Sequence, residues 1–151
     1  MLYLSLRLVH IGCMALWIGA IFFCSGDVRR TLASPEGNLD LLRERMSRSL
    51  KISASAGGLT VLSGIGLIVV LGGMGAVPVP IHIGLTVGFV MLGVGGGVVG
   101  RSWKAIDAAL AAGGSRESVA PLVKRLAVGN GIFHGLWLLT LVLMVFRSGL
   151  G

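Results

Sequence analysis

The chain has 151 residues, a length that suits one domain. With 54% hydrophobic residues, 25 glycines and only 13% charged residues, it lacks the polar surface that a soluble globule needs, so its apolar surface must face lipid. The net charge of +7 does not mark a nucleic-acid binder, because the charges concentrate in two loops that flank apolar segments.

In chain order, the first apolar stretch runs over 2–24, the second over 52–74, the third over 79–100 and the fourth over 126–146. Each holds about 20 residues, which at about 1.5 Å per residue spans a hydrocarbon core of about 30 Å. The first stretch is long enough to span, and no basic leader or small-residue cleavage site frames it as a signal peptide. Its two cysteines, Cys13 and Cys24, stand eleven residues apart on one helix, roughly 16 Å, too far for a disulfide between them. The first connection, 25–51, holds a turn over Ser34-Pro35-Glu36-Gly37-Asn38 and then helix formers from Asp40 to Arg45. In the second long connection, 101–125, the third helix is expected to continue through Ala105–Leu110 and to break at Gly113-Gly114.

Of the 13 basic residues, 11 lie in these two connections, and the loop around Gly75–Pro80 has none. The positive-inside rule therefore predicts both basic loops in the cytoplasm and both termini outside. The short connections imply antiparallel neighbours, so the expected fold is all-α: an antiparallel bundle of four transmembrane helices, N-out and C-out, forming a single transmembrane domain over 1–151. The setting expected is a bacterial-type inner membrane, with the termini on the periplasmic side. Gly84-x3-Gly88, Gly93-x3-Gly97, Gly96-x3-Gly100 and Gly131-x3-Gly135 have the spacing that lets helices approach closely in lipid. The same glycines would also leave room for a flat cofactor.

All three histidines, His10, His82 and His134, fall within apolar stretches, and no Asp or Glu does. Ionisable groups inside a membrane are expensive and point to a function or to an interhelical hydrogen bond. Imidazoles without carboxylates suit metal or haem ligation better than an ion pathway. Counted from the outer ends, His10 lies about 14 Å deep and His134 about 20 Å deep, which makes them the best level pair, with His82 nearer the surface. Trp17 and Trp137 lie on nearby helical faces and would either wall a cofactor or simply pack. Arg7, one turn from His10, and Arg147 at the far end would either meet an anionic group such as a propionate or snorkel to lipid headgroups. A competing constellation is His10, Cys13 and Met14 at i, i+3 and i+4, a ligand set that suits Cu(I), with Met74 and Met91 as further thioethers. The bland reading of these sulfur residues is apolar filling. The span contents show no phosphate loop, nucleophile elbow, zinc motif or dinucleotide fingerprint.

His10-Ile11-Gly12 through Leu16-Trp17-Ile18-Gly19-Ala20, with Arg29-Arg30 following, resembles the opening helix of the small membrane proteins related to HemJ and to the membrane domain of CopD. Val79-Pro80-Ile81-His82-Ile83, leading to Gly100-Arg101, resembles the same group. The likeness covers about the first two-thirds of the chain, on short motifs. HemJ-type proteins bind b-type haem and act in protoporphyrinogen oxidation, and CopD-type proteins are associated with copper. The resemblance implies that His10 corresponds to a haem ligand. Where HemJ-type proteins carry a Lys two residues after the third-helix His, this chain has Gly84, which implies a different second axial ligand, His134 or His82.

The reading that results is a membrane bundle binding haem b, with His10 first, His134 second and His82 third as ligands. It would act in electron transfer or oxidoreduction with a quinone in the bilayer or a redox partner protein. A copper-binding or copper-transport protein is the alternative. The third reading is a structural subunit of a homo-oligomer or larger membrane complex.

Overall fold

In the computed structural model, which describes residues 1–146, the chain forms six helices: α1 (Leu2–Ile21), α2 (Cys24–Ala33), α3 (Leu39–Val70), α4 (Val79–Val94), α5 (Arg101–Ala111) and α6 (Ala120–Val145). A 3₁₀ turn over Met74–Ala76 precedes α4, and a π-helical turn over Gly95–Gly100 joins α4 to α5 without a break. Four continuous segments are long and apolar enough to cross a membrane: Leu2–Ala33, Leu39–Val70, Val79–Ala111 and Ala120–Val145. The protein is an all-α, four-span membrane bundle, and no strand occurs among the described residues.

The helices outrun the apolar stretches. At about 1.5 Å per residue, the 32 residues of α3 measure about 48 Å, well beyond a hydrocarbon core of about 30 Å. Most of the connections 25–51 and 101–125 is helix that projects from the membrane, more of it than the expected helix formers from Asp40 to Arg45 and the continuation through Ala105–Leu110. The projection is packed: Val28, Leu42 and Ile106 are fully buried, so the core continues past the lipid boundary. Asn38 starts α3 as its N-cap, its Oδ1 accepting from the Leu41 backbone N–H at 2.9 Å. Arg43 then ties α3 to α5 through Asp107 at 2.6 Å, and Arg45 ties α3 to α2 through Asp27 at 3.0 Å. Arg116 closes this end by donating to the backbone oxygens of Ser34, Pro35 and Gly37.

Two helix ends show the same device. After Val70, the Gly72 N–H bonds Val69 O and the Gly73 N–H bonds Ile68 O, with both glycines at positive φ. After Ala111, Gly113 bonds Leu110 O and Gly114 bonds Ala109 O, with Gly113 at φ 81°. Both are Schellman closures, which need a residue free of Cβ strain at the first glycine. The first of them ends the second span at Val70, four residues short of the expected Met74.

Pairing is uneven. The first span lies along α3 and the third along α6, while α1 and α6 meet at only a few residues. The shared core sits in the basic half of the bundle. Trp17, buried to 1%, lies over Gly57 of α3, where an added Cβ would come within 2.6 Å of the indole. The same indole meets Phe133 of α6 edge-on at 5.4 Å. Above Trp17, α1 has no fully buried residue, and Leu2, Leu4, Leu8, Val9 and Ile11 face outward as lipid-contacting surface.

Candidate functional site

His10 faces α3. Its Nδ1 lies 2.9 Å from the Thr60 carbonyl oxygen and 3.2 Å from Ser63 Oγ. Gly64 makes room for the ring: a Cβ there would stand 3.1 Å from His10 Cε1. The hydroxyls of this patch are already committed, Thr60 Oγ1 donating to Ala56 O at 2.8 Å and Ser63 Oγ to Leu59 O at 2.6 Å. A carbonyl only accepts, so the 2.9 Å contact requires the proton on Nδ1. That tautomer leaves Nε2 with a free lone pair, and no partner for it occurs among the described residues. A histidine held through Nδ1–H to a backbone carbonyl, with Nε2 bare, is how metal-ligating imidazoles are oriented.

His134 is placed differently. Its ring lies against Phe22 with centroids 4.9 Å apart, and against Phe133 at 6.5 Å. Its Nε2 is enclosed without a hydrogen-bond partner, and one turn further along α6 the Trp137 Nε1–H is enclosed in the same state. Phe22 is twelve residues beyond His10 on the first span, about 18 Å of helical rise, so the two imidazoles sit at different depths. The structure does not bring the expected pair together. The depth count assumed helix ends flush with one membrane plane, but α1 is registered against α3 rather than against α6.

His82 serves the hairpin between the second and third spans. Its Nε2 lies 3.0 Å from Met74 O and its Nδ1 3.3 Å from Pro78 O. Both ring nitrogens face backbone carbonyl oxygens of this turn. To ligate a metal through either nitrogen, His82 would have to turn that nitrogen away from the carbonyl it faces. Trp17 is spoken for as core, and Met91 is fully buried among apolar side chains. Trp137 packs on the edge of the core. Cys13 and Met14 lie a turn below His10 as expected from their spacing; Cys13 is a half-buried free thiol and Met14 packs against the core. Arg7 is exposed near the N-terminal end of α1, while Arg147 lies outside the described residues. Among the described residues no three His, Cys, Asp or Glu side chains group closely enough to hold a metal by themselves.

Sequence reasoning missed several features. Thr60 and Ser63 are small polar residues inside an apolar helix, three apart, and that spacing is the signal that α3 offers a polar face to a neighbour. Asn130, buried to 1%, donates through Nδ2 to Ser25 Oγ at 3.1 Å, while its Oδ1 and the Ser102 Oγ are enclosed without partners. The π-helical turn follows from Gly95-Gly96-Gly97 and Gly100, and lets Val98 come so close to α6 that a Cβ on Gly129 would stand 2.7 Å from it.

Compared with known proteins, the chain finds no match: no family model, no curated protein and no solved structure matches it. The likeness to the HemJ and CopD groups thus rests on the short motifs around His10 and His82 alone.

Proposed function

We propose that this chain is a redox-cofactor subunit of the membrane, in which His10 supplies one axial imidazole to a b-type haem. The observation that carries the reading is the seating of His10: its Nδ1 lies 2.9 Å from Thr60 O, which can only accept, and its Nε2 has no partner among the described residues. The residues fit a haem in part. His10 is oriented as a ligand, whereas His134 is not positioned opposite it, so a second axial group must come from elsewhere, and a second copy of the chain is one source. Bound there, a haem would supply one-electron chemistry inside the bilayer, within reach of a quinone or a redox partner protein. The work of the chain itself is positional: Thr60 fixes the ring, Gly64 admits it, and the apolar outer half of α1 keeps water from it.

Copper is the second reading, favoured by Cys13, a free thiol three residues from His10 on the same helical face. In both readings the basic loops lie in the cytoplasm and His10 in the outer half of a bacterial-type inner membrane.

The test is an absorption spectrum of the detergent-purified chain, oxidised and then dithionite-reduced, for wild type, His10→Ala and His134→Ala. A reduced α band that His10→Ala abolishes and His134→Ala retains is the expected result. A colourless wild type overturns the haem reading; stoichiometric copper in that sample, lost with Cys13→Ser, would move the assignment to copper.

A further inference from the structure

A cleft lies beside the junction of α1 and α2 at the basic end of the bundle. Ile21 closes α1, α2 restarts at Cys24 after Phe22-Phe23, and a space of about 400 Å³ lies between this junction and α3. Its walls change character along their length. One end is made by Gly19, Ala20 and Phe23; the other by Arg30 of α2 and by Arg45, Arg48 and Ser49 of α3. The 20 residues of α1 rise about 30 Å, so Gly19 to Phe23 reach the edge of the hydrocarbon and the arginines stand just beyond it.

Charge within the cleft is unbalanced. Three guanidiniums face one carboxylate, Asp27, which lies 3.0 Å from Arg45. Arg48 pairs with Glu44 at 2.7 Å, outside the lining, and Arg30 has no acidic partner among the described residues. A guanidinium presents five N–H donors in a fork that matches two phosphate oxygens, so the two paired arginines keep donors to spare. Ser49 adds a hydroxyl. The two wall glycines face empty space: nothing lies within 4 Å of a Cβ built on Gly19 or Gly26. A cleft apolar toward the lipid, cationic toward water and open between matches an amphiphilic anion in shape and charge.

We propose that this cleft binds the phosphate headgroup of an anionic phospholipid, with Arg30 and Arg48 on the phosphate oxygens and the glycerol and first methylenes against Phe23 and Ala20. The excess of positive charge selects against a choline headgroup, whose ammonium would meet the arginines. Basic pockets between spanning helices recognise anionic headgroups on these terms. The inference is independent of any cofactor at His10.

The experiment uses the full chain in nanodiscs of phosphatidylcholine doped with phosphatidylglycerol, with the retained lipid counted by native mass spectrometry. Wild type should enrich phosphatidylglycerol over its share of the bilayer. Each of Arg30→Gln and Arg48→Gln should lower that enrichment about fivefold, the effect of one basic side chain at a membrane surface. Gly26→Leu, at a wall position where an added Cβ meets nothing within 4 Å, should abolish it by filling the cleft. Arg29→Gln, the same charge change beside the cleft rather than in it, should leave enrichment intact. If Arg29→Gln matches Arg30→Gln, the attraction is diffuse surface charge and the site is overturned. Inorganic phosphate binding in lipid-free detergent as tightly as phosphatidylglycerol would overturn the lipid as its source.

Discussion

At the scale of the residue, His10 is defined by one carbonyl. The Thr60 oxygen fixes the imidazole proton on Nδ1, so the ring ¹⁵N spectrum of selectively labelled protein should show an unprotonated Nε2 and a protonated Nδ1. A spectrum with the proton on Nε2 would remove the basis for calling this histidine a ligand. Such a bond is modest in strength, because interhelical hydrogen bonds in lipid average about 0.6 kcal/mol, and His10→Ala should leave the fold intact while abolishing any haem band. Gly57 is the opposite case. Its missing side chain admits Trp17, and Gly57→Val should cost about 1–3 kcal/mol of stability by overpacking a site that holds α1, α3 and α6 together. Denaturation of purified protein followed by Trp fluorescence would read this, and a neutral result would mean that the indole can shift aside. The histidines were legible in the sequence as residues out of place in apolar stretches, because their cost in lipid is a local property. Which of them meet is not local. It depends on how far α1 slides along α3 and whether α6 faces it, and no spacing within a single helix contains that information.

At the scale of the element, the apolar stretches identified all four spans but understated their helices. Hydropathy falls away where lipid ends, yet helix does not, because Val28, Leu42, Met46 and Ile106 return at helical spacing and find one another outside the membrane. The stops were better marked. Gly113-Gly114 was readable as a break, and Gly72-Gly73 carries the same Schellman chemistry, hidden because apolar residues continue on both sides. A residue with a Cβ held at positive φ costs about 1–2 kcal/mol, so Gly72→Ala should fray the last turn of α3. Hydrogen exchange should then quicken at Leu71 to Gly73 and not in the middle of α3; unchanged protection would show that the hairpin is held by His82 and its bonds to Met74 and Pro78 alone. The interruption at Phe22-Phe23 had no such signal. Neither residue is Gly or Pro, and the break lies where the chain passes into α2, which packs Val28 and Cys24 into the core against α3 and α6.

At the scale of the whole molecule, the bundle is built from the basic end outward. Its interhelical ion pairs and its closing arginine all lie on the side of Trp17 that carries the charged segments, and the core extends there through Val28, Leu42, Ile106 and Val119. Toward the other end α1 lies along α3 and α4 along α6, with Gly88 of α4 meeting Val61 of α3 and α1 presenting exposed apolar residues. The charged segments lie at this packed end, which the positive-inside rule predicts to be the cytoplasmic one. The orientation is directly testable. With Cys13 and Cys24 replaced by alanine, single cysteines at Glu36 and at Gly75 probe the two ends. A membrane-impermeant maleimide added to intact cells should label Gly75→Cys and spare Glu36→Cys, with Glu36→Cys reacting only after the cells are opened. The reverse pattern would place the termini inside and the basic end outside. It would also move the arginine-lined cleft to the other leaflet and His10 to the cytoplasmic half of the membrane, where any electron partner would have to be sought on that side.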